Sequence, residues 1–190
     1  ITVYDSEIGF RIRGARGNAN VKIMNTVLYD CEFGLRTEDN LANLKLYNST
    51  FGNNIDLMIK TVASSTEFDT WQLKNNAFLG RTKPQQASHA SNIKVPMNEQ
   101  NRTFFDVTSE NYLLVENSSL IDAGVTIFEV EKDRLGHPRV GPYDIGAYEY
   151  TGSASSISKP TIKFGSISTT SSSIVDSGDT PDENPDNTSG

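Results

Sequence analysis

The residues best suited to chemistry are outward-facing cations in a repeating frame. In Phe10-Arg11-Ile12-Arg13, strand alternation turns Phe10 and Ile12 inward and both arginines outward. The repeat sets Arg11, Arg36 and Met58 at one outward position and Arg13, Glu38 and Lys60 at the next. Lys22, Lys45 and Gln72 share a third, and Met24, Tyr47 and Lys74 a fourth. Like charges on adjacent rungs, about 4.8 Å apart, repel unless something neutralises them. A polyuronate offers one carboxylate per sugar, and arginine grips a carboxylate through two parallel hydrogen bonds. Arg11, Arg13, Lys45 and Tyr47 are therefore the candidate substrate-binding residues. The plainer alternative is a solvated face in which Glu38 and Asp39 are the ion-pair partners.

The reaction matching such a face is β-elimination from a uronic acid. The proton on C5 is acidic only once the neighbouring carboxylate is neutralised, by Ca²⁺ or by Arg and Lys. A base then removes it. Lys60 and Arg36 are the catalytic candidates, and Glu38, Asp39 and Asp56 the candidate calcium ligands. A glycosidase of the same fold is a further alternative, needing two carboxylates across the scissile bond. Asp5 and Glu7 recur as Asp30 and Glu32, but at equal frame positions, which reads as structural. The two histidines, His89 and His137, form no metal-binding pair, and no phosphate loop or nucleophile elbow is present.

These side chains need a scaffold, and the repeat supplies it. Ile1–Arg11 lies over Thr26–Arg36 without a gap. Val21-Lys22-Ile23-Met24-Asn25 lies over Leu44-Lys45-Leu46-Tyr47-Asn48 and over Trp71-Gln72-Leu73-Lys74-Asn75. A period in the twenties with short alternating runs predicts a solenoid of strands. Phe10, Leu35 and Leu57 are expected to form one inward column. Asn25, Asn48 and Asn75 are expected to stack at a bend. The connections 14–20, 39–43 and 61–70 vary in length and fall on one side, where binding usually sits. The expected fold is all-β, a right-handed single-stranded parallel β-helix.

The chain has 190 residues and a formal net charge of −7, which argues against nucleic acid as a partner. Its single cysteine, Cys31, excludes an internal disulfide. No apolar run is long enough to span a membrane. Ile1 falls in mid-turn, and a solenoid needs an end cap, so further turns are expected upstream.

Residues 111–150 carry a distinctive series: Asn111-Tyr112-Leu113-Leu114, Leu120-Ile121-Asp122-Ala123-Gly124, Asp133-Arg134-Leu135-Gly136-His137-Pro138-Arg139 and Tyr143-Asp144-Ile145-Gly146-Ala147-Tyr148-Glu149-Tyr150. The series resembles the C-terminal segment of secreted bacterial right-handed β-helix proteins of the "choice-of-anchor Q" type. The resemblance implies a pectate-lyase-like solenoid over 1–150, secreted or at the cell surface, and a family mixing polysaccharide lyases, glycosidases and proteins without known activity. Lyases of this fold resemble one another in using Lys or Arg as the base. The expected partner is an acidic polysaccharide and the expected state a monomer. The alternative is a non-catalytic adhesion solenoid. The segment itself is expected to act as a cap, with Ile145, Ala147 and Tyr148 over the last rung. Residues 151–190 are rich in Ser, Thr, Pro and Asp and read as a disordered linker to a further module.

Overall fold

The computed structural model describes residues 1–13, 20–38, 41–63, 70–80 and 83–152. All but a few of the expectations for 14–20, 39–43, 61–70 and the tail lie outside them. The described residues belong to one compact unit, Ile1–Lys159. They are mostly β, with one short helix, and no helix among them is long and apolar enough to cross a membrane.

Three rungs of three strands carry the architecture. The first holds β1 (Thr2–Val3), β2 (Ser6–Ile12) and β3 (Asn20–Met24). The second holds β4 (Val27–Leu28), β5 (Cys31–Thr37) and β6 (Asn43–Tyr47). The third holds β7 (Thr50–Phe51), β8 (Ile55–Thr61) and β9 (Gln72–Lys74). Each strand pairs in parallel with its counterpart one rung on, so the chain visits three sheets in rotation. β10 (Ala77–Leu79) and β11 (Ile93–Val95) extend the first sheet. Helix α1 (Gln100–Thr103) follows, then an antiparallel pair, β12 (Phe104–Asp106) and β13 (Asn111–Leu114).

The rungs turn at two columns of left-handed residues. Asp5, Asp30 and Asn54 form one, with φ of 50°, 50° and 54°. Asn25, Asn48 and Asn75 form the other, at 51°, 46° and 56°. Short polar side chains tolerate this region better than any other non-glycine type, which accounts for the recurrence of Asn and Asp. Of the expected asparagine stack, one amide bond is present: Asn75 Nδ2 donates to Asn48 Oδ1 at 3.3 Å. A longer ladder stands one residue later. Thr26 N donates to Ser49 Oγ, Ser49 N to Asn76 Oδ1 and Asn76 N to Asn92 Oδ1, at 3.3, 3.0 and 3.2 Å. All four residues are buried.

The register departs from hydrophobic matching in the third rung. Leu35 pairs with Ile59, and Leu57 pairs with Phe33. Arg36 pairs with Lys60, where Met58 was expected. The corner before β8 holds three residues, Gly52, Asn53 and Asn54, where the corner before β5 holds two. That insertion carries the strand forward, and Met58 turns inward to the core beside Leu35 and Phe51.

Residues 118–150 do not lie over the last rung. They run along the outer flank of the first sheet and bind all three rungs. Asn25 Nδ2 donates to Lys132 O, Asn48 Nδ2 to Asp144 O, and Asn75 Nδ2 to Val125 O. Arg134 reaches Thr2 Oγ1 in the first rung. Ile145, Ala147 and Tyr148 join one buried cluster with Val27, Tyr29, Ala77 and Leu79. The first sheet is thus buried on both faces: Val27 looks to this flank and Leu28 to the inner core with Leu44, Leu46 and Phe78.

An aromatic column completes the flank. Tyr4 stacks on Tyr29 with centroids 5.1 Å apart, and the third place falls to Gly52. Tyr112 of β13 occupies the room left there, 5.9 Å from Tyr29. A Cβ on Gly52 would stand 2.3 Å from Tyr112 Oη. Gly52→Ala is predicted to destabilise the fold by about 1–3 kcal/mol through overpacking. A urea midpoint equal to that of the parent would contradict this packing.

Candidate functional site

The outer face of β2–β5–β8 is left open by the flanking segment, and the register sorts it into columns. Glu7, Glu32 and Asp56 are exposed acids at one end of the strands. Ile8, Phe33 and Leu57 form a partly exposed apolar column beside them. Arg11, Arg36 and Lys60 form a cationic column towards the other end. In between, Gly34 and Leu35 are both buried, as are Met58 and Ile59. Two successive residues face inward only where a strand bends, so the bend separates the apolar and cationic columns. Gly34 belongs there for space: a Cβ would lie 2.8 Å from Met58 O and 2.9 Å from the Phe51 ring.

Glu38 serves the cationic column. Arg11 Nε donates to Glu38 Oε1 at 2.7 Å. Arg36 Nε lies 3.0 Å from the same oxygen without the alignment of a hydrogen bond. The Arg36 guanidinium also lies over the Phe33 ring, 5.7 Å from its centroid. Arg13 is exposed just past β2, beside Glu38, whose N–H donates to Ile12 O at 2.9 Å. Lys60 is exposed, and no ion pair holds it among the described residues. One carboxylate against three cations leaves the column net positive.

Lys45 and Tyr47 lie on a different sheet, β3–β6–β9, and do not share a trough with Arg36 and Lys60. Lys22 and Lys45 both pair with Glu129 of the flanking segment, Lys45 at 2.6 Å. Hydrogen bonds from the two lysines pull the Glu129 carboxyl down to about 2, and Glu129 draws the Lys45 ammonium upward. Tyr47 is 2% exposed, packed with Ile127, Val130 and Tyr143. Its hydroxyl meets Gln72 Oε1 at 2.5 Å, and burial raises it above the usual tyrosine range.

The calcium set does not converge. Glu38 faces Arg11 and Arg36, whereas Asp56 stands level with Glu32, six residues back along the paired strand, or roughly 20 Å. Asp39 lies outside the described residues. Calcium takes six to eight oxygens, and among the described residues no three His, Cys, Asp or Glu side chains gather for a metal. The acids of the flanking segment serve the backbone. Asp133 Oδ1 accepts from Leu135 N and His137 N, and Asp144 accepts from Asp122 N and Tyr150 N.

Sequence reasoning did not find Phe33 as the platform beneath Arg36, nor Glu129 as the counter-ion of Lys22 and Lys45. The first follows from the bend in β5. The second joins residues far apart in the chain. No family model and no curated protein sequence matches this chain.

The Glu129 pairing has a pH signature. Its carboxyl is lowered from an ordinary 4.5 to about 2 in the folded chain. A depressed carboxyl contributes stability above its unfolded value and loses it as pH falls through the folded one. Parent and Glu129→Gln should therefore differ in melting temperature at neutral pH and converge as pH falls from 4.5 towards 2. The difference should also shrink in high salt, because the cluster is exposed. A gap unchanged at the acid end would refute the pairing.

Proposed function

We propose that this chain is a right-handed parallel β-helix of the secreted, carbohydrate-active kind, whose open sheet face binds an acidic polysaccharide and cleaves it by β-elimination. The observation that carries the reading is the single register column of Arg11, Arg36 and Lys60. Adjacent rungs are about 4.8 Å apart, so three cations in file favour a polyanion with a comparable repeat. Glu38 offsets only one of the three charges. The Phe33 ring offers an apolar surface to a sugar face beside the Arg36 guanidinium.

In this reading Arg36 binds the uronate carboxylate and draws off its charge, which acidifies the adjacent C5–H. Lys60 is the base that takes that proton. The electron pair forms the C4–C5 double bond, and the glycosidic oxygen on C4 leaves with its electrons and takes up a proton. Arg11 and Arg13 hold neighbouring sugars. No step requires a metal.

A second reading, a non-catalytic solenoid that binds glycan, is favoured by one observation: Glu38 already partly shields Arg11 and Arg36. The two readings separate on incubation with alginate and pectate while absorbance of the unsaturated product is followed. Lys60→Gln is predicted to lower turnover by about 10²–10⁴-fold, the usual contribution of a general base, with little loss of binding. Arg36→Gln should weaken binding about tenfold, with a stability change below about 1 kcal/mol. Binding without product would leave the second reading. Unchanged affinity in both variants would remove this face as the site.

A further inference from the structure

We infer that a cleft beside the start of β8, apart from the cationic column, is a binding site for a neutral sugar unit. Among the described residues β8 is the last strand of its sheet, and no strand pairs with its outer edge. Helix α1 and the turn after β12 stand off from that edge and leave a cleft of about 580 Å³. This volume lies within the range of small-ligand sites, about 300–1,000 Å³.

The lining selects the chemistry. Among the described residues no Lys, Arg or His lines the cleft, and Asp56 is the charged group they contribute. A carboxylate-bearing sugar is therefore repelled. Side-chain amides supply most of the polar wall. Gln100 is only 7% exposed, and among the described residues its amide nitrogen, Nε2, meets the Met97 thioether at 3.7 Å, a weak acceptor. A part-buried amide with so weak a partner keeps donor capacity for a group in the cleft. Asn101 and Asp56 have no side-chain partner among the described residues and complete a set of donors and acceptors. Met58, Leu79 and Val107 are buried and provide the apolar part of the wall. Hydroxyls set against amides and a carboxylate, with C–H groups against apolar side chains, are the recognition pattern of a neutral pyranose.

The inference does not rest on the proposed acidic-glycan site, from which it differs in position and in sign of charge. The test is an NMR titration of the isotope-labelled chain with methyl glucoside, methyl galactoside, N-acetylglucosamine and galacturonate, each to roughly 10 mM, enough to reveal millimolar affinity. At least one neutral sugar should shift the side-chain amides of Gln100 and Asn101 saturably, and leave Arg36 unmoved. Asn101→Ala, at an exposed position, should weaken that binding at least several-fold with the melting temperature unchanged. Asp56→Asn should admit galacturonate to the cleft. No shift at Gln100 and Asn101 with any neutral sugar would overturn the site, and galacturonate binding there as well as the neutral sugars would overturn the ligand class. Shifts confined to Arg11, Arg36 and Lys60 would support the proposed function while refuting this inference.

Discussion

The structure depends on a corner at which two neighbouring residues face opposite ways. Asn25, Asn48 and Asn75 take the left-handed conformation and offer their amides outward. The residues that follow, Thr26, Ser49 and Asn76, sit inside. Each backbone N–H in the series Thr26, Ser49, Asn76 is satisfied by a side chain one rung on. A corner strips these groups of regular strand partners and buries them, and an unsatisfied buried N–H is expensive. The ladder removes that penalty rung by rung and fixes which residue lies over which. The parallel pairing of the three stacked sheets follows from the register set there.

The outward asparagines then decide how the later part of the chain docks. Val125, Lys132 and Asp144 each answer one of them. The segment between is held by a buried polar network centred on Arg139. Its Nη1 donates to Glu149 Oε2 at 2.6 Å, and its Nη2 to Asn25 Oδ1 and Gly146 O, both at 3.0 Å. Burial works against the charge of each member, raising the Asp144 and Glu149 carboxyls and lowering Arg139. Such a group is tolerated because almost every polar atom is paired, and removing one partner would strand the others. The acids of the Asp-Ile-Gly-Ala-Tyr-Glu run thus serve as internal ligands for the chain's own N–H and guanidinium groups.

Docking on one flank has a consequence for function. It buries the first sheet on both faces and places Glu129 over Lys22 and Lys45 on the third. The flanking segment leaves the outer face of β2–β5–β8 uncovered, with Arg11 and Arg36 against Glu38 and Lys60 exposed. Its cations line up because the strands are parallel and in register, so equal positions on successive rungs lie side by side.

Several of these features are legible in local sequence. Alternation in Val21-Lys22-Ile23 and Leu44-Lys45-Leu46 implies strands with one face buried, and the gapless match of Ile1–Arg11 to Thr26–Arg36 implies that they stack. The recurring Asn25, Asn48 and Asn75 mark a bend, because few other residues accept its backbone. Register in the third rung was not legible. It turns on one extra corner residue among Gly52, Asn53 and Asn54, and apolar matching cannot distinguish Leu57 from Ile59 when both flank a bend. The docking of residues 118–150 was not legible either. Nothing local distinguishes a segment that covers an end from one that lies along a flank. That choice rests on contacts across about a hundred residues, such as Asn25 with Lys132 and Asn48 with Asp144. Only the folded chain brings those partners together.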